Sequence, residues 1–214
     1  ELGKVLADKN DVFKDQRPGN ILDYLMQNNG KKIEAENILN SVLINFSDIW
    51  PGRISINKRN MGDLWAYSKL KSGDPLSCLV PFHKLSQWLT YSLIEPILEA
   101  GITVTGVEKL TGLAEYRNGG LLLDKQLIEL KDKTNHSKSH LANSDLIIEW
   151  RALTIVLLDK IADNIRGKLN MSETQLPLAK VLEGGTWWAG RIVAQEKRVK
   201  GEPPLKLDSD GTVF

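Results

Sequence analysis

From Ser144 to Leu169 the apolar residues Ile148, Ala152, Ile155, Leu158, Ile161, Ile165 and Leu169 recur on one face of a 3.6-residue period. A stripe this long cannot be a strand. It predicts a helix that begins at Ser144 as N-cap and runs to about Leu169, and its apolar face must be covered by other elements. The fold class follows: mainly α, built by helix packing.

Other segments repeat the pattern on a smaller scale. An amphipathic segment spans Leu2 to Phe13, and a short helix over Ile21–Met26 should stop at Asn28-Asn29-Gly30. The positions Ile38, Leu39, Val42, Leu43 and Phe46 mark a longer helix, closed by Trp50-Pro51-Gly52. Pro81 suits the first turn of the next helix, where Leu85, Leu89, Leu93 and Ile97 repeat every four residues, with a kink expected at Pro96 and an end at Gly101. Thr105-Gly106-Val107 reads as a turn into a further helix with Val107, Leu110, Leu113 and Ala114 on its buried face, ended by Asn118-Gly119-Gly120. Leu121-Leu122-Leu123 and Leu127–Leu130 then predict one small β-hairpin, and 131–140 an exposed loop. Ser172 with Gln175 forms a capping-box pattern for a helical stretch to Leu182, which Gly184-Gly185 interrupts before a last helix from Trp187 to Lys197-Arg198. The expected organisation is a single helical domain over 1–214.

Composition narrows the function. With 42% hydrophobic and 26% charged residues, the 214-residue chain can bury a core, and a net charge of +1 argues against a general grip on nucleic acid. The single cysteine, Cys78, excludes an internal disulfide and fits a reducing, cytoplasmic setting; no run approaches a membrane span. Phosphate-loop, dinucleotide, HExxH and GxSxG motifs are absent. The three histidines His83, His136 and His140 and one cysteine do not make a metal site, so neither metal nor organic cofactor is expected.

The chemistry-bearing stretch is Leu110-Thr-Gly-Leu-Ala-Glu-Tyr-Arg-Asn-Gly-Gly120. Glu115, Tyr116 and Arg117 put a carboxylate, a phenol and a guanidinium side by side at a helix end beside two glycines, where side chains can face a ligand across exposed backbone. Such a carboxylate can stabilise a cationic transition state or activate a water, and the arginine can grip an anion. An ordinary pair of surface charges stays open as the other reading. Of the six tryptophans, Trp50 and Trp65 lie beside Asp48 and Asp63, so they are candidates to sandwich a planar group; Trp88 and His83 extend the list, and Arg191 is a candidate anion contact. Core packing for the tryptophans and solvation for the basic groups are the competing readings.

The strings LVPFHKLSQWLTYSLIEPILEAGI (79–102), LTGLAEYRNGGLLLD (110–124), EWRALTIVLLDKIA (149–162), LAKVLEGGTWWAGR (178–191) and SDGTVF (209–214) resemble the uracil-catabolism protein four family. The resemblance implies a role in the pathway that opens uracil and liberates urea, acting on a ribosylurea-type intermediate. It covers the C-terminal half of that family's chains. A more distant resemblance, carried by Leu110, Thr111, Ala114, Glu115, Tyr116 and Arg117, by Glu149, Arg151, Ala152 and Thr154, and loosely by Asn45, Phe46 and Trp50, is to the queuosine 5′-phosphate N-glycosidases, whose fold is helical like that of DNA glycosylases. It implies that Glu115 stands where that family has a catalytic Asp. Glu149 and Arg151 are then either a structural ion pair or substrate contacts.

Residues and resemblances together lead to the expectation of a hydrolase that cleaves the N-ribosyl bond of a ribosylurea, or its 5′-phosphate, with Glu115 and Arg117 catalytic. Asp48, Trp50, Asp63, Trp65, His83, Trp88, Tyr116 and Arg191 would bind substrate. A small nucleoside- or nucleotide-derived molecule is the expected partner, with no nucleic acid or membrane. The family's upstream half or a second copy of the chain are further partners it allows. The alternative is a non-catalytic binding or assembly subunit of the same pathway.

Overall fold

The computed structural model describes residues 1–213, so Phe214, the last residue of the terminal string, lies outside the described residues. The chain forms two compact units, residues 1–64 with 85–110 and residues 65–84 with 111–214. Helices dominate both, and the strands are short pairs. Among the described residues no helix is long and apolar enough to cross a membrane.

The first unit contains α1 (Leu2–Asp8), α2 (Asn20–Asn29), α3 (Ala35–Asn45) and all but the first residue of α4 (Lys84–Glu99). The helical spacing read in the sequence falls inside α2, α3 and α4, because each apolar stripe finds the same core. Phe13, Ile33, Ile38 and Val42 are fully buried there, and the Phe13 and Phe46 rings meet at 5.0 Å. Pro96 lies within α4, but Pro81 does not start it: Pro81 ends the strand Leu79–Pro81, and the helix begins only at Lys84. The expected turn and helix after Thr105 are also replaced. Thr103–Thr105 pairs in parallel with Lys32–Glu34, and only a single tight turn, Val107–Lys109, follows. The basic link 53–59 is a two-residue hairpin in which Ser55–Ile56 pairs with Arg59–Asn60 through Asn57 and Lys58, both at positive φ, as a type I′ turn requires.

The second unit is built on α5 (Tyr116–Asp124), α6 (Asp145–Leu169), α7 (Leu178–Val181) and α8 (Trp188–Lys197). The long stripe is α6, with Ile147, Ile148, Trp150, Leu158 and Ala162 nearly inaccessible and Asn170 capping its C-terminus in the left-handed region. Ser144 stands at the N-cap, but its hydroxyl donates back to the Leu141 carbonyl (2.8 Å) rather than receiving from the helix. Ser172 and Gln175 exchange the two capping-box hydrogen bonds (2.8 and 3.3 Å), though they close a turn ahead of α7. Gly184-Gly185 does not interrupt the chain: Leu182–Trp187 is a π-helical turn that joins α7 to α8 continuously.

The largest correction concerns residues 110–130. No helix ends at Gly119-Gly120 and no hairpin follows; α5 starts at Tyr116, runs through both glycines and includes Leu121, Leu122 and Leu123. The consecutive leucines spread around a helix that packs on α6, α8 and the π-helical turn, with Leu122 fully buried. Each glycine costs about 1 kcal/mol of helix propensity relative to Ala. Close packing offsets it, since a Cβ on Gly120 would stand 3.0 Å from Pro204 Cδ. The far end of α5 is anchored by the buried Asp124 carboxylate, which accepts two hydrogen bonds from the Arg198 guanidinium (2.8 and 2.5 Å).

Candidate functional site

Glu115 has extended backbone and is the N-cap of α5 rather than the end of a helix. Its two carboxylate oxygens accept separate backbone N–H groups, Oε2 from Arg117 (2.8 Å) and Oε1 from Asn118 (2.6 Å). The cap satisfies two donors that a helix start otherwise leaves open, and the helix dipole favours the anion. Each oxygen keeps another lone pair for a ligand. The residue is partly buried, and among the described residues no cation forms an ion pair with it. Burial pushes the Glu115 carboxyl above the usual carboxylate range; the two backbone N–H groups and the charges of Lys84 and Arg117 pull it back, but burial wins.

The neighbouring candidates are held by their own contacts. Arg117 meets Glu115 through its backbone, while its guanidinium donates to the Gly201 carbonyl (2.6 Å) and lies 4.6 Å from the centre of the Tyr116 ring. Tyr116 packs against the core that contains Trp65, Phe82, Ala114 and Trp150. Trp65 is 7% exposed, a core side chain of this unit. His83 occupies the left-handed region (φ 49°), a strained conformation for a non-glycine residue, beside Lys84, whose charge reaches Glu115. Arg191 lies over the half-buried Trp187 and the exposed Trp188, at 5.6 and 5.8 Å from the two rings. Asp48, Trp50, Asp63 and Trp88 belong to the first unit. There Asp48 and Trp88 are exposed, and Trp50 is partly buried with its carbonyl receiving from Asn60 (3.1 Å).

Glu149 and Arg151 turn to different partners. Glu149 accepts from Lys69 (2.7 Å) and Tyr67 (2.9 Å), which hold its carboxyl below the usual range, and Asp145 receives both the hydroxyl and the backbone N–H of Ser68. These contacts dock residues 67–69 on the first turns of α6. Tyr67→Phe is expected to lower stability by about 1 kcal/mol, seen as a lower urea-unfolding midpoint with an unchanged slope. Arg151 is 1% exposed: its guanidinium lies 4.1 Å from the centre of the Phe82 ring and donates to the carbonyls of Val213 (2.9 Å) and Ala114 (3.4 Å). It therefore positions the chain immediately before Glu115. A charged residue on the apolar stripe of α6 was the sequence signal for that role.

Two more positions near Glu115 escaped sequence reasoning. Gly190 of α8 lets the backbone of α5 approach so closely that a Cβ there would lie 2.8 Å from the Arg117 carbonyl carbon and collide with its oxygen. Asn118, one turn into α5, is 1% exposed. Among the described residues no three His, Cys, Asp or Glu side chains converge as metal ligands would.

A family model described as a protein of unknown function, DUF1688, matches residues 1–214. The chain is 43% identical over 170 residues to "Protein urg3" of Schizosaccharomyces pombe, covering 78% of this chain and 41% of that one. It is 38% identical over 243 residues to "Uracil catabolism protein 4" of Lachancea kluyveri, covering all of this chain and 54% of the relative. The chain thus spans about half the length of the curated relatives it matches. No solved structure matches it. With the family model spanning its whole length, the chain belongs to the DUF1688 family.

Proposed function

We propose that this protein acts in uracil catabolism as an N-glycosidase that cleaves the N-ribosyl bond of a ribosylurea, or of its 5′-phosphate, and releases urea. The relative's name supports the pathway. The observation that carries the reaction is the Glu115 carboxylate, partly buried, fixed by two backbone N–H groups and with lone pairs left over. Breaking the bond from the anomeric carbon to the urea nitrogen leaves positive charge on the sugar, and a preorganised anion stabilises it. The bonding pair leaves with nitrogen, water oxygen joins the anomeric carbon, and one water proton ends on the released urea. Glu115 would stabilise the sugar cation and orient that water.

A second reading has an observation of its own. Capping α5 accounts for both hydrogen bonds of Glu115, as a non-catalytic binding or assembly subunit would require. The test is urea and free-sugar release from N-ribosylurea and from its 5′-phosphate, by this chain and by the Lachancea kluyveri relative at full length. Stoichiometric urea and sugar support the glycosidase. Tight binding without turnover by either protein leaves the subunit.

The pH profile gives a further expectation. Catalysis needs the Glu115 anion, so kcat/KM should fall with decreasing pH through an apparent pKa above 4.5, the ordinary glutamate value. In that window the folded state binds more protons at this site than the unfolded state, so protonation stabilises the fold while it stops turnover. Thermal unfolding recorded at each pH separates lost chemistry from acid unfolding.

A further inference from the structure

Asn118 and Thr186 carry unanswered polar atoms. Asn118 is 1% exposed and Thr186 4%, yet Asn118 Oδ1 and Thr186 Oγ1 are buried without a hydrogen-bond partner among the described residues. Burying such an atom unpaired costs on the order of 1–3 kcal/mol, so each calls for an occupant.

The local backbone explains why neither finds one within the chain. Glu115 is the N-cap and Asn118 the third helical residue, the two positions whose side chains meet in a capping box. In a reciprocal cap Asn118 would take the Glu115 N–H. That N–H already donates to the Leu113 carbonyl (2.9 Å), which leaves Oδ1 with nothing to accept. A helical threonine ordinarily returns its hydroxyl to the carbonyl four residues back. Thr186 lies in the π-helical turn Leu182–Trp187, where the widened backbone does not provide that bond. It precedes Gly190 by four residues, so it shares the face of the helical segment that Gly190 presses onto α5, and the π-helical turn itself packs on α5.

We propose that Asn118 and Thr186 read the leaving group of the Glu115 site. Asn118 Oδ1 accepts an N–H of a ureido or primary amide group, and the Thr186 hydroxyl donates to its carbonyl. A ureido group carries both N–H donors and a carbonyl acceptor, so one such group can answer an acceptor and a donor together. The assignment deepens the glycosidase reading and rests on it. A site built to hydrogen-bond a group rejects ligands that lack it, so the pair would set specificity for the ureido leaving group over the sugar alone.

The test uses Asn118→Leu and Thr186→Val, each close to isosteric, and N-ribosylurea with ribose 5-phosphate as competitor. Each variant is expected to weaken N-ribosylurea binding, by calorimetry, about tenfold while ribose 5-phosphate inhibition and Tm hold or Tm rises. N-ribosylurea affinity unchanged in both variants, with Tm lowered, would mean that the two atoms serve the fold through buried water, and would overturn the proposal. Loss of turnover in the wild-type chain with the binding differences intact would instead sink the glycosidase and keep the recognition pair.

Discussion

Glu115→Gln is expected to lower urea release from ribosylurea by a factor of about 10²–10³ while costing only about 1 kcal/mol of stability. The two effects separate because the side chain has two jobs. As N-cap it accepts the backbone N–H groups of Arg117 and Asn118. Glutamine retains one oxygen of nearly the same reach, so much of the cap survives. The anion that would face a developing sugar cation is gone, and a factor of 10²–10³ corresponds to about 2.7–4 kcal/mol of barrier. The variant should also lose the acid limb of the pH profile. Rate measurement with a parallel thermal melt decides it. A rate that falls only as far as the folded fraction does would assign Glu115 to the cap alone.

Gly190→Ala should destabilise the second unit by about 3 kcal/mol, a fall in Tm on the order of 6–12 °C. In an open helix the same change raises stability by up to about 1 kcal/mol, so the sign alone is diagnostic. The new methyl group would collide with the Arg117 carbonyl, which is backbone and cannot swing aside. Relief requires α8 to move away from α5 at its first turn. Arg117 supplies one of the two N–H groups that hold Glu115, so turnover should fall along with stability. Calorimetry and the urea assay on one preparation test both. An unchanged or higher Tm would show that the helices are not in contact at this point.

These expectations depend on features with different visibility in the sequence. The 144–169 stripe sees its partners every three or four residues, so periodicity alone located α6, as it did α2, α3 and the body of α4. Glu115, Tyr116 and Arg117 stood out because three functional groups in succession beside glycines are uncommon. Their local structure is the reverse of what the sequence predicts, since the helix begins there and runs through both glycines. Glycine read one residue at a time is a helix terminator, and three leucines after it resemble a strand.

The amino-acid sequence by itself determined the helical class, the main helices, the carboxylate worth testing and the family. Tertiary structure decided that α5 runs through Gly119 and Gly120, that Glu115 begins a helix instead of ending one, and that a π-helical turn carries the chain across Gly184-Gly185. It also decided that Arg151 is buried against Phe82 and the backbone before Glu115. The reason is range. Propensity and periodicity report what a residue gains from neighbours within a turn or two, whereas the Gly120–Pro204 and Gly190–Arg117 approaches join parts of the chain far apart in sequence. Their packing outweighs a local preference of about 1 kcal/mol per glycine.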